Sequence, residues 1–297
     1  MIVSASYRTD IPAFYGEWFV NRLRAGHART VNPYGGPPGR VDLTPAAVDG
    51  FVFWTRNLGP FAAGLDAVDG LGIPFVVQFT ATALPRPLER SVIGWEAAVE
   101  QMRAAARRWG PRAVVWRYDP IVPTDLTPPD WHRQTFARLA AALRGVVDEV
   151  TVSFMEPYRK TTRNLALAAA RAGFTGSLLG DDDKRALLGD LAASAADHGM
   201  ALTLCTQPAL AGVAGTSPAR CVDAARLSDV AGRPIAARTK GNRPGCLCAE
   251  SRDIGDYDTC PHGCVYCYAV RDRDAALGRY QAHDPAAEFL VSPARAR

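Results

Sequence analysis

Lysine is scarce in this sequence, and no stretch of it stays apolar for long. Arginine carries almost all of the positive charge, because the only lysines among the 297 residues are Lys160, Lys184 and Lys240. The net charge of +4 is mildly basic, which weakly indicates a phosphate-bearing or nucleic-acid partner. No apolar run reaches the roughly 18 residues of a membrane-spanning helix, so we expect no membrane partner.

The sequence also lacks the pattern of a secretory leader and a glycine-rich nucleotide fingerprint. Residues 2–8 predict a strand instead of a basic region followed by an apolar run. We therefore expect the reducing cytoplasm, where an odd number of cysteines favours metal binding over disulfides. Gly35 and Gly36 precede prolines and no helix, which argues against a nucleotide-binding loop.

Short apolar, β-branched runs alternate with helical stretches through residues 1–208. This alternation predicts a parallel sheet with helices packed outside it. We expect an α/β fold, a partial or complete (β/α) barrel, with an open doubly wound sheet as the alternative. The six predicted strands are residues 2–6, 50–54, 74–80, 112–116, 149–154 and 200–204.

Residues 209–297 lose this alternation and form the second predicted domain. The stretch 233–263 is rich in Gly, Pro, Asp and Arg without a clear period. A long irregular segment in a compact protein is expected only where it is functional or disordered. We predict a cysteine-rich iron–sulfur segment packed on the barrel. In the first domain, Thr44-Pro45 predicts the start of a short helix.

Five of the seven cysteines lie between Cys246 and Cys267, and the last three follow a Cys260-x3-Cys264-x2-Cys267 spacing. Thiolates are soft ligands that suit zinc or iron–sulfur clusters. Structural zinc generally takes four protein ligands. Three thiolates are one short of the four that close a [4Fe-4S] cluster, so they would leave one iron open to a substrate or cofactor.

This spacing, with Tyr266 just before the third cysteine, resembles the signature of the radical S-adenosylmethionine superfamily. The resemblance implies that Cys260, Cys264 and Cys267 bind an open [4Fe-4S] cluster, shielded by Tyr266, whose free iron takes S-adenosylmethionine. It also implies reductive cleavage to a 5′-deoxyadenosyl radical that abstracts a hydrogen from the substrate. An electron donor such as flavodoxin or ferredoxin would supply the electron. The superfamily fold, a partial or full β/α barrel, agrees with the predicted alternation.

Over nearly its whole length the chain resembles more closely a bacterial family described as a domain of unknown function. Spore photoproduct lyase is a more distant likeness. In the radical superfamily the cysteine loop normally follows the first strand, whereas here it comes last, so a circular permutation and a convergent motif both stay open. No clear Gly-Gly-Glu stretch follows a second strand. The resemblance to the bacterial family lies in residues 4–12, 52–57, 78–80, 116–120 and 251–269.

The other four cysteines match the number that closes a second [4Fe-4S] cluster or a structural zinc site. Cys205 follows a predicted strand, where a barrel faces its site, and Cys221, Cys246 and Cys248 come later in the chain. We predict a second, fully ligated centre, with electron relay as one hypothesis for its role. The alternative is that Cys205 and Cys221 are small buried hydrophobic residues, which is common for free cysteine.

Polar side chains follow several predicted strands, and in β/α barrels functional groups collect at the C-terminal ends of strands. Arginines there can bind carboxylate or phosphate in a bidentate way, so we expect a small-molecule or nucleotide-like substrate. Alternatively, Arg8 with Asp10 and Arg117 with Asp119 simply neutralise each other, and Lys160 starts a solvated helix. The predicted catalytic residues are Arg8, Asp10, Arg117, Asp119 and Lys160, and the predicted cofactor-binding residues are Thr55, Arg56, Asn57, Gln78, Thr80 and Tyr266.

Two functions from different classes follow from these patterns. The first is a cytoplasmic radical S-adenosylmethionine-type enzyme with an unidentified substrate. The second is a zinc- or cluster-stabilised protein that binds or repairs nucleic acid without cleaving S-adenosylmethionine. The arginine excess motivates the second, and metal analysis distinguishes the two because iron and zinc lead to different proteins.

Overall fold

The computed structural model describes residues 1–32, 35–177 and 179–291 of the chain. Its strands are β1 (Ile2–Ala5), β2 (His27–Thr30), β3 (Gly39–Asp42), β4 (Gly50–Thr55), β5 (Phe75–Thr80), β6 (Val114–Ile121), β7 (Glu149–Phe154), β8 (Ala201–Leu204), β9 (Thr216–Pro218) and β10 (Ser251–Asp253). Its helices are α1 (Ile11–Phe14), α2 (Gly16–Arg24), α3 (Ala62–Gly70), α4 (Trp95–Trp109), α5 (Pro129–Leu143), α6 (Arg159–Ala172), α7 (Asp181–Asp197), α8 (Ala224–Ala231) and α9 (Arg273–Gln281). All six predicted strands are confirmed.

Eight of these strands form one parallel sheet in the order β10-β1-β4-β5-β6-β7-β8-β9, while β2 and β3 pair separately as an antiparallel hairpin. Apart from β10, the order follows the chain. A doubly wound sheet reverses its strand order at a switch point, and here the only departure from chain order is β10 beside β1. Pairing between the edge strands β9 and β10, which would close a barrel, is not found in the described residues.

The two faces of the sheet pack against different parts of the chain, because successive side chains of a strand point to opposite faces. On the outer face, Val3, Phe53 and Phe79 join the large core formed with the helices. On the inner face, residues of β1, β4, β5 and β6 pack against the segment 219–249. These inner-face residues are Ile2, Val52, Val76 and Val115.

The segment 209–297 adds β9, α8, β10 and α9 to the structure, and its last six residues, 292–297, lie outside the described residues. Helix α8 sits so close to the sheet that a Cβ on Gly50 would lie 2.9 Å from Leu227. Arg226 of this helix pairs with Asp148 at 2.9 Å and with Glu149 at 2.5 Å. The inner face is therefore covered by chain that follows the predicted barrel in sequence.

Thr44 and Pro45 do not begin a helix, so that prediction is wrong. Oδ1 of Asp42 accepts hydrogen bonds from the backbone N and Oγ1 of Thr44, at 2.9 and 2.7 Å. This side-chain turn competes with helical hydrogen bonding, and β4 begins at Gly50. The density of Gly and Pro in residues 31–39 predicts a loop, and residues 33 and 34 of this stretch lie outside the described residues. No helix within the described ranges is long and apolar enough to cross a bilayer.

Candidate functional site

A loop with three cysteines lies over the strand ends of β1, β4 and β5. The cysteine triad is Cys260, Cys264 and Cys267. The loop is fixed by the segment that follows β5, because Glu89 and Cys264 form an isolated antiparallel bridge. The backbone N of Ser91 also donates to the carbonyl of His262 at 2.9 Å.

A group of buried polar side chains, the buried charge network, lies next to Cys264 of the triad. It consists of Arg56, Thr82, Glu89 and Tyr266. Nη1 of Arg56 lies 2.7 Å from Oε1 of Glu89, and its Nη2 donates to the hydroxyl of Tyr266 at 2.5 Å. The same carboxylate oxygen accepts from Thr82 at 2.6 Å and from the Tyr266 hydroxyl. A buried charge needs such complete pairing, so Arg56, Glu89 and Tyr266 hold one another in place.

Asp10 joins the first strand end to the cysteine loop. Its Oδ1 accepts from Oγ1 of Thr55 at 2.7 Å and caps α1 through the backbone N of Ala13. Its Oδ2 accepts from the backbone N of Arg56 at 2.8 Å and lies 2.8 Å from Nε2 of His262. Asp10 does not pair with Arg8 in these contacts, and its carboxylate positions β1, β4 and the triad loop together.

The thiols of the triad are held in their neutral form by their surroundings. Burial, with the nearby charges of Asp10 and the other two cysteines, raises the pKa of Cys260 well above the ordinary value. Burial raises the pKa of Cys264 to about 12, although Arg56 opposes the shift. Burial also raises the pKa of Cys267, and Lys160 opposes it. A bound metal must therefore displace the protons, so metal affinity should rise with pH.

Two cations meet over one aromatic ring at the rim of the sheet. The guanidinium of Arg8 lies 5.2 Å from the ring centre of Tyr257, and Nζ of Lys160 lies 5.6 Å from it. Nζ of Lys160 also donates to the carbonyl of Tyr268 at 3.4 Å, beside Cys267. Nε of Arg8 has no hydrogen-bond partner among the described residues, but it lies 3.9 Å from Oδ1 of Asp253 as an ion pair. The rim therefore offers positive charge near the triad, and Asp253 neutralises part of it.

Asp253 ties β10 to β1 and was not predicted as a functional residue. Its carboxylate accepts from Oγ of Ser4 at 2.8 Å and from Oγ of Ser6 at 2.6 Å. It also accepts from the backbone N of Gly255 at 2.9 Å. A Cβ on Gly255 would lie 2.2 Å from Oγ of Ser6, so only glycine permits this close approach.

The other four cysteines form a second group on the inner face. The cysteine quartet is Cys205, Cys221, Cys246 and Cys248. The Sγ atoms of Cys205 and Cys221 are 3.7 Å apart. The thiol of Cys248 interacts with those of Cys221 and Cys246. The hydrogen bond with Cys248 lowers the pKa of Cys246 to about 6, so the quartet is partly ionised near neutral pH.

Arg117 and Gln78 connect the quartet to the centre of the sheet. Nη1 of Arg117 lies 3.1 Å from Sγ of Cys221 and 3.1 Å from Oε1 of Gln78. Nε2 of Gln78 donates to the carbonyl of Cys221 at 2.9 Å. Nη2 of Arg117 pairs with Asp119, which also accepts from Ser153. The expected neutralisation of Arg117 by Asp119 is therefore present, and Arg117 contacts a thiol as well.

The arrangement of the cysteines limits which metal centre they could hold. Among the described residues, no group of three or more His, Cys, Asp or Glu side chains is arranged to hold a metal ion. A single ion would need its sulfur ligands close together, whereas the three cysteines on a cubane bind three different iron atoms and stay further apart. The triad, whose thiols interact through charge and show no mutual hydrogen bond, is compatible with an open cluster.

Two predicted cofactor-binding residues are not brought to either group of cysteines by the contacts described. Oδ1 of Asn57 accepts from Nε2 of Gln101 at 2.8 Å, which directs it to α4. Thr80 is half-buried in β5 beside Arg117 of β6. Sequence reasoning missed Glu89, whose only signal was a single carboxylate in the loop between β5 and α4.

A profile described as Domain of unknown function (DUF1848) matches residues 2–269 of the chain. The chain belongs to this family. The DUF1848 match includes the triad, the quartet and the buried charge network, so the predicted family resemblance is confirmed. No curated protein and no solved structure gives a significant match to the chain.

Proposed function

We propose that this protein is a radical S-adenosylmethionine-type iron–sulfur enzyme in which the triad binds an open [4Fe-4S] cluster. The observation that carries the proposal is the place of the triad loop in space. The loop follows β10, and β10 is the outermost strand, paired in parallel with β1. The loop thus comes last in the chain and yet follows the first strand of the sheet, which favours a circular permutation over a convergent motif.

Residues of the chain itself have distinct roles in this proposal. The bound cluster and S-adenosylmethionine would together supply reductive cleavage of a carbon–sulfur bond and hydrogen abstraction. Lys160 would bind the carboxylate of S-adenosylmethionine, because its charge acts on Cys267, and Arg8 would assist it from the same Tyr257 ring. Asp10 and the buried charge network are positioning residues that fix the triad loop. An electron donor such as flavodoxin or ferredoxin and a small-molecule or nucleotide-like substrate complete the proposal.

The finer fold that this function implies is a partial (β/α) barrel. Sequential parallel strands with helices on the outer face and a filled inner face support it. The functional rim is then the C-terminal edge of β1, β4 and β5, where Asp10, Arg56 and Glu89 follow their strands.

Anaerobic reconstitution tests the function directly. The protein is loaded with iron and sulfide, reduced with dithionite and incubated with S-adenosylmethionine. We expect 5′-deoxyadenosine in the wild type and none in Cys264→Ser. Wild-type protein that carries the cluster but forms no cleavage product would refute the radical chemistry while leaving the cluster in place.

The second candidate, a nucleic-acid binding or repair protein, rests on the arginine excess. Many arginines of the described residues are engaged in ion pairs within the chain, among them Arg56, Arg117 and Arg226. The described contacts therefore do not favour this candidate over the enzyme.

A further inference from the structure

The quartet has no part in the proposed chemistry, but its four members converge from separate parts of the chain. Cys205 follows β8, Cys221 precedes α8, and Cys246 and Cys248 precede β10. Cys221 and Cys248 belong to the inner-face apolar cluster, and Cys205 and Cys246 pack against it. Every cysteine of the chain outside the triad is therefore in this one place.

One pair of sulfurs in the quartet, those of Cys205 and Cys221, has the spacing of two ligands to one centre. Zinc–sulfur bonds of about 2.3 Å put the sulfurs of a tetrahedral site about 3.8 Å apart. Sγ of Cys205 lies 3.7 Å from Sγ of Cys221. Sγ of Cys248 accepts from the backbone N of Val222 at 3.4 Å, so it faces the same side of the loop as Cys221.

Positive charge lies next to these sulfurs. Nη1 of Arg117 is 3.1 Å from Sγ of Cys221, and Nη2 of Arg243 is 3.9 Å from Sγ of Cys205. A buried guanidinium requires anionic partners, and the carboxylate of Asp119 is only one such partner for Arg117. Four thiolates around one divalent ion carry a net charge of −2, which the two guanidinium groups offset in part, because Arg117 also pairs with Asp119.

A short hairpin places Cys246 and Cys248 near the other two cysteines of the quartet. Residues 238–240 and 248–250 pair in an antiparallel way, with Lys240 N donating to the carbonyl of Cys248 at 2.9 Å and Glu250 N to that of Arg238 at 2.8 Å. Cys246 lies in the turn of this hairpin. Its partner Cys248 is held against the loop of Cys221 by a hydrogen bond from Ala249 N to the carbonyl of Val222 at 2.8 Å.

We propose that the quartet binds a second thiophilic metal centre through four thiolates, separate from the triad. Zinc is the simplest occupant, and a closed [4Fe-4S] cluster would use the same ligands. Because the described side chains do not yet surround one point, binding must draw the turn with Cys246 inward. The centre would fasten the irregular segment 219–250 to the inner face of the sheet.

Metal analysis of two sets of variants tests this inference without relying on the proposed function. The triad variant replaces Cys260, Cys264 and Cys267 by serine, and the quartet variant is Cys221→Ser with Cys248→Ser. After anaerobic purification, we expect the triad variant to retain about one zinc or four iron atoms per chain. The quartet variant should lose this metal and keep the chromophore of the triad after reconstitution. A zinc result and an iron result both support the ligand set and tell the two occupants apart.

A triad variant that holds no metal, or a quartet variant with the same metal content as the wild type, would overturn the inference. If the quartet variant does not fold, the triad variant is stripped of its metal and tests the inference by itself. Added zinc or cobalt should raise its thermal unfolding midpoint, and cobalt should give the intense absorption of thiolate coordination. Absence of both effects in folded protein overturns the inference equally.

Discussion

Cys264 lies beside a network of several buried charges, whereas Cys221 lies in an apolar cluster and contacts one buried charge, Arg117. Arg56, Glu89 and Tyr266 interlock beneath the triad, while the quartet packs in the cluster that contains Val76 and Val115. Both groups lie near strand ends, so the triad and the quartet differ in their surroundings more than in their location. A frame of oriented charges suits a centre whose ligands must stay fixed while one position is open, and an apolar setting suits a closed structural centre.

Replacing one cysteine in each group by serine gives the largest expected difference between the triad and the quartet. We expect Cys264→Ser to abolish both cluster binding by the triad and cleavage of S-adenosylmethionine, because two thiolates cannot retain the open cluster. Cys248→Ser should lower stability and leave cleavage by the remaining folded molecules measurable. Iron content and 5′-deoxyadenosine, both normalised to folded protein, provide the measurement. Equal loss of cleavage in the two variants would show that the groups do not differ in role.

The buried charge network gives the next largest expected effect. In Glu89→Gln, Arg56 loses its anionic partner while remaining buried, which should lower the free energy of unfolding by about 3–5 kcal/mol. Urea unfolding of the reduced, metal-free protein measures this change. The matched control is Asp190→Asn, whose carboxylate pairs with Arg133 at 2.7 Å on the surface, and we expect a loss below about 1 kcal/mol there. Similar losses in both variants would contradict the comparison.

Arg117 of β6, whose buried guanidinium contacts the quartet, gives a smaller and more selective expected effect. Arg117→Met removes the contact with Sγ of Cys221 and should weaken metal binding by the quartet about 10- to 100-fold. Competition with a chelator measures this affinity. Arg112→Met, which removes exposed ion pairs with Asp148 and Asp229, should leave it unchanged. Unaltered affinity in Arg117→Met would mean that the guanidinium serves only Asp119.

A pH titration supplies a reference from the outer layer, away from both groups. Burial lowers the pKa of His132 to about 4, so between about pH 6.5 and pH 4 only the unfolded chain binds this proton. The free energy of unfolding should therefore fall by about 2 kcal/mol from pH 7 to pH 5 through this residue alone. In His132→Gln that part of the slope should vanish, whatever the starting stability. A slope that stays unchanged would place the titrating group elsewhere.

The sheet could be predicted from the sequence because its central strands are continuous apolar runs, as buried parallel strands are. Strand β10 could not be predicted, since Ser251–Asp253 contains no apolar residue and is stabilised by β1 and by the serines that bind Asp253. Local pattern also failed at Thr44, where the side chain of Asp42 forms a turn.

The candidate site was predicted only where a residue type carries its own chemistry. The cysteine spacing pointed to the triad, and Arg56 and Asp10 stood out as charges after strands. Their partners could not be paired correctly, because Asp10 contacts His262, which is distant in sequence, and Arg56 contacts Glu89. Such pairings depend on which strands are neighbours, and the sequence contains no local signal for that.

The pairing of β1 with β10 joins two segments that are synthesised far apart in time. Ile2 leaves the ribosome long before its partner Ser251, which lies 249 residues later in the chain. Until then the edge of β1 has no strand beside it, and the triad has not been translated. A chain truncated before residue 251 would therefore carry an unprotected edge of β1 that invites aggregation.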